Sequence, residues 1–132
     1  MLVKSIRKNK PGVEYTFEAG KVKFEMQNLA SRNCVPCRGG MPTLRGAEIK
    51  EFAGELEDWD VVDEHHLRKN YKFADFREAL AFVNRVGTLA EQQGHHPDIN
   101  FGWGRAEITI WTHAIDGLSE SDFILAAKID RL

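Results

Sequence analysis

The feature that most constrains this chain is a long helical repeat enclosed by two strand pairs. In "ADFREALAFVNRVGTLAEQQG", Phe76, Leu80, Val83, Val86, Leu89 and Ala90 recur at the period of an amphipathic helix, and Gly94 stops it. Upstream, "WDVVDEHHLRKNYKF" reads as two short strands around Asp63-Glu64. Downstream, strands at about 98–102 and 105–112 flank a turn near Gly102-Trp103-Gly104. A short helix in "TLRGAEIKEFAGEL", with Thr43 as its candidate N-cap, and a last one in "SESDFILAAKIDRL" complete the order α-β-β-α-β-β-α. Two hairpins imply antiparallel pairing. The predicted fold is therefore α+β: a four-stranded antiparallel sheet with helices on one face.

Residues 1–41 read as an N-terminal extension and 42–132 as the main domain, with turn-rich "NCVPCRGGMP" at the boundary. Within the extension, residues 13–26 alternate in polarity on both sides of Ala19-Gly20 and predict a β-hairpin. Cys34 and Cys37 are the only cysteines. Their CxxC spacing suits half a zinc site, a redox pair or two thiols in a loop, and zinc would need two further ligands. The net charge of −2 gives no general attraction to nucleic acid or to an anionic membrane. No apolar run has the length of a membrane span, and the N-terminus lacks a signal-peptide stretch. The expectation is a soluble, cytoplasmic protein.

Three of the five histidines lie in "EQQGHHPDINFGWGRAEITIWTH". His95 and His96 follow the C-terminal end of the long helix, where the helix dipole favours a cationic imidazole. Pro97 then sends the chain into a strand. With the turn near Gly102-Trp103-Gly104, paired residue numbers sum to roughly 206–208, which folds His113 back towards His95-His96. Ala106, Ile108 and Ile110 face the helices, while Glu107, Thr109, Trp111 and His113 face the other way. Three imidazoles beside an aromatic surface suit a flat, polar, heteroaromatic ligand. Acid–base chemistry and a zinc site are both open to three histidines, and the adjacency of His95 and His96 favours the former. Asp122 reads either as N3 of a capping box from Ser119 or as a site residue. Asp116 can contact a ligand, and Glu91, one turn before His95, can orient it or solvate the helix. His65-His66 read as structural.

The spaced set Glu91, His95-His96-Pro97, Trp103, His113 and Asp122, with "GLSESDFILAAKI", "WDV" and "FADFREALAFVNRV", closely resembles the pterin-4a-carbinolamine dehydratase family over about residues 42–132. The chain departs at the β-turn, with Trp103-Gly104 where many relatives have Tyr-Asn. The resemblance implies dehydration of 4a-hydroxytetrahydropterin to quinonoid dihydropterin without metal or organic cofactor. It places His95, His96 and His113 in the pterin site, as the catalytic candidates. Pro97, Trp111, Asp116, Asp122 and Glu91 are the substrate-binding candidates. It also implies a functional link to an aromatic amino-acid hydroxylase, and a homodimer or homotetramer. Some family members instead serve as non-catalytic dimerisation or assembly modules, the alternative reading.

Overall fold

A computed structural model describes residues 28–36 and 38–132. The hairpin expected at 13–26 and Cys37 lie outside the described residues. The order of elements is a 3-10 turn (Leu29–Ser31), α1 (Gly46–Ala53), β1 (Asp60–Val62), β2 (His66–Lys72), α2 (Phe76–Gln93), β3 (Asp98–Gly102), β4 (Arg105–Ile110), a second 3-10 turn (His113–Ile115) and α3 (Glu120–Ile129). The sheet runs β1-β2-β4-β3, antiparallel throughout. The α+β architecture is the expected one.

Register follows from turn chemistry. Asp63 and Glu64 both take positive φ and close the β1–β2 hairpin, pairing Val62 with His66. Gly104, at φ +71, closes the β3–β4 hairpin, pairing Gly102 with Arg105 and Asp98 with Thr109. A Cβ on Gly104 would stand 3.0 Å from the Phe73 carbonyl, so the turn needs glycine for space as well as for φ. Leu67, Ala106, Ile108 and Ile110 line the inner face of the sheet and are buried with Phe82 and Val86 of α2 and Phe123, Leu125 and Ile129 of α3. Each such large side chain contributes about 1.5–3 kcal/mol by leaving water.

Three local expectations are corrected. The buried stripe of α2 is Ala79, Phe82, Val86 and Ala90, whereas Phe76 and Leu80 are exposed. Ala79 is small enough to bring α2 close to its neighbours, and the Phe82 ring packs on Tyr71 and Phe73 at 4.5 and 5.3 Å. Thr43 does not cap α1. The Leu44 N–H donates to the Leu118 carbonyl, which keeps the chain out of the helix until Gly46. Finally, β4 ends at Ile110 rather than 112: Thr112 bridges to Gly117 and encloses the second 3-10 turn, so His113 belongs to that turn and not to a strand.

Candidate active site

His95 and His96 occupy the connector between α2 and β3. Gly94 takes the left-handed conformation at φ +63 and ends α2, its N–H and that of His95 satisfying the last carbonyls of the helix. The two imidazoles then part. His95 Nε2–H donates to Asp122 Oδ1 at 2.6 Å, and His96 Nε2–H donates to Glu91 Oε2 at 2.5 Å. Glu91 thus orients His96, not His95 as the helical spacing suggested: the turn at Gly94 swings His95 away from α2 and towards α3. In both rings Nε2 is committed to a carboxylate. That leaves Nδ1 as the nitrogen able to exchange a proton with a ligand.

Asp122 is wholly enclosed, at 0% exposure. One oxygen meets His95, and the other accepts from the Ser119 N–H and the Thr112 hydroxyl, both at 2.8 Å. The two readings of Asp122 are therefore compatible: it caps α3 and fixes His95 with the same carboxylate. Its depth places it behind His95 rather than open to a ligand. Glu91 and His96 differ, with side chains 77% and 58% exposed.

His113 follows Thr112, which bonds the same Asp122. Thr112 points inward to Asp122, while the His113 ring packs on Trp111 on the other side of the strand end, centroids 4.4 Å apart. Trp111 also meets His66 at 6.0 Å and His65 at 5.5 Å. His65 Nε2–H donates in turn to Asp116 Oδ1 at 2.8 Å, and its Nδ1 lies within hydrogen-bond distance of His66 Nδ1, at 3.1 Å. Burial, aided by the charges of His65 and Arg68, holds His66 below the usual imidazole range. Sequence reasoning missed this second pair. The contact follows from the pairing of β2 with β4, which puts His66 opposite Trp111 one step beyond Leu67↔Ile110 and which no local sequence pattern marks. Pro97 lies between His96 and the first residue of β3. Trp103 is 75% exposed at the far end of the β3–β4 hairpin, away from the histidines. Among the described residues, no group of three or more His, Cys, Asp or Glu side chains is arranged to hold a metal ion.

A strap preceding α1 clasps both elements that carry the His95–Asp122 pair. The Cys34 N–H donates to Gln93 Oε1 at 2.9 Å, two residues before His95. Val35 exchanges two hydrogen bonds of 3.0 Å with the Ser121 hydroxyl, one residue before Asp122. Leu29 anchors the strap in the core at 1% exposure.

The family model for pterin 4 alpha carbinolamine dehydratase matches residues 42–132. The chain belongs to the pterin 4 alpha carbinolamine dehydratase family. A Rubrobacter xylanophilus protein bearing the provisional name pterin-4-alpha-carbinolamine dehydratase is 65% identical over 107 residues, covering 81% of this chain and all of that one. A protein of the same provisional name from Alkaliphilus metalliredigens is 51% identical over 107 residues, covering 80% of this chain and 96% of its own. The crystal structure of a transcriptional coactivator/pterin dehydratase from Brucella melitensis superposes with a TM-score of 0.64 at 30% identity, covering 68% of this chain and 97% of that one. No helix among the described residues of this family member is long and apolar enough to cross a membrane.

Proposed function

We propose that this chain is a hydro-lyase that converts a 4a-hydroxytetrahydropterin to quinonoid dihydropterin and water by histidine acid–base catalysis. The observation that carries the reading is the pair of adjacent imidazoles, each fixed at Nε2 by its own carboxylate, in a member of the dehydratase family. The reaction breaks the C4a–O bond and forms a carbon–nitrogen double bond. It requires one proton delivered to the leaving hydroxyl and one removed from a ring nitrogen. His95 and His96 supply the group that protonates the hydroxyl. His113 binds the ring and assists removal of the second proton, and the two roles can be exchanged. A positioned proton donor or acceptor of this kind contributes roughly 10²–10⁴-fold.

Asp122 acts on the substrate through His95, and Glu91 through His96. Pro97, Trp111 and Asp116 complete the binding surface. The catalytic domain is residues 42–132, with 1–41 as an extension, and the reaction uses no metal or organic cofactor. The substrate comes from an aromatic amino-acid hydroxylase, which needs its tetrahydropterin back. The setting is the cytoplasm, and the active form is a homodimer or homotetramer. The test is the ultraviolet decay of 4a-carbinolamine released by a hydroxylase, with and without this chain. Acceleration supports the dehydratase. No acceleration by folded protein favours a second reading, a dimerisation or assembly module, to which the coactivator name of the Brucella relative points.

A further inference from the structure

The segment 111–116 is gripped from outside by one residue. His65, in the β1–β2 turn, contacts the Trp111 ring at the start of this segment and the Asp116 carboxylate at its end. His66 adds an edge-on contact to His65 and a second contact to Trp111. Between those ends lies His113, and among the described residues the partner of its ring is the same indole. Aromatic rings at these separations have preferred geometries, so a change in the pose of Trp111 is passed to His113. Asp116 is a non-glycine residue at φ +50, a conformation with a cost that its bond to His65 offsets. Its carboxylate is 89% exposed, so the ion pair adds little to global stability and acts locally on the turn.

We infer that His65 and His66 are positioning residues for His113, setting its ring through Trp111 and through the Asp116 end of the turn. The inference rests on the dehydratase reading only for its kinetic consequence. A binding ring displaced by a fraction of an ångström loses productive geometry, so the effect falls on turnover more than on folding.

The experiment compares wild type with His65→Ala, His66→Ala, Asp116→Gly and His66→Phe in full-length protein. Two readouts are used: kcat and KM for 4a-carbinolamine decay, and the carbon–proton resonance of His113 Cε1–H. The alanine variants are expected to shift the His113 resonance and to lower kcat/KM about tenfold. His66→Phe, which keeps a ring on the indole, is expected to return kcat/KM to within about twofold of wild type. Should an alanine variant fail to fold, Asp116→Gly and His66→Phe still decide: Asp116→Gly, which tolerates the positive φ and removes the acceptor for His65, must move the His113 resonance. An unmoved resonance and wild-type kcat/KM in folded variants overturn the inference. If wild type does not turn over carbinolamine, the dehydratase reading fails by itself, and the His113 resonance alone decides the positioning role.

Discussion

His95 Nε2 and Asp122 Oδ1 meet at 2.6 Å across 27 positions of sequence, joining the exit of α2 to the first turn of α3. The carboxylate has no exposed surface and accepts from Thr112 and Ser119 as well as from His95, so it serves fold and site together. Asp122→Asn replaces one acceptor oxygen by a donor NH₂ that cannot satisfy both sides. The expected loss is about 2–4 kcal/mol of stability, from a buried network left incomplete, with a fall in turnover of at least about tenfold. Chemical denaturation beside carbinolamine decay measures both.

His96 and Glu91 predict the opposite balance. Both are exposed, so His96→Ala is expected to change stability by no more than about 0.5 kcal/mol. Turnover is expected to fall by about 10²-fold. Thermal melting and the decay assay on one preparation separate the two effects. Equal losses in both would mean that His96 is a structural residue.

Glu55 gives a pH prediction. Burial raises its carboxyl from the usual carboxylate value to about 7, against the lowering influence of the Leu29 N–H and of Arg32. One oxygen accepts from Leu29 N–H at 3.0 Å, while the other is buried without a hydrogen-bond partner among the described residues. The folded state holds this proton more tightly than the unfolded chain, so the contribution of Glu55 to stability is present below about pH 4.5 and is lost as pH rises through 7. Glu55→Gln keeps the acceptor for Leu29 and removes the charge. Its melting temperature is expected to exceed wild type at pH 8, with the gap closing towards pH 5. A constant gap would contradict the assignment.

The strap is expected to matter for stability and for the site at once. Leu29→Ala removes a fully buried side chain and should cost about 2–4 kcal/mol. Ser121→Ala breaks both bonds to Val35, with a cost of about 1 kcal/mol and faster hydrogen exchange at the Val35 amide. Unchanged exchange at Val35 would mean that the Ser121 hydroxyl does not hold the strap.

Much of this was legible in the sequence because hairpins and helix ends leave local marks. Asp63-Glu64, Gly94 and Gly104 each punctuate the chain, and the observed pairing sum of 207 falls within the expected 206–208. The α2 stripe was misread because Phe76 and Leu80 match the helical period as well as Ala79 and Phe82 do, and only tertiary packing selects between them. Glu91 was paired with the wrong histidine because sequence spacing assumes a continuing helix, which Gly94 ends. The contacts of His65 and His66 with segment 111–116 were not legible. They depend on β2 lying beside β4, a relation between elements about 40 residues apart that no local pattern encodes.

The most direct test of the central claim is the first-order decay of 4a-carbinolamine with wild type, His95→Ala, His96→Ala and His113→Ala at equal concentration. The imidazole account predicts acceleration by wild type and, in each folded variant, a rate reduced by about 10²-fold or more. Wild-type rates in all three would show that the dehydration, if catalysed, is carried by other groups.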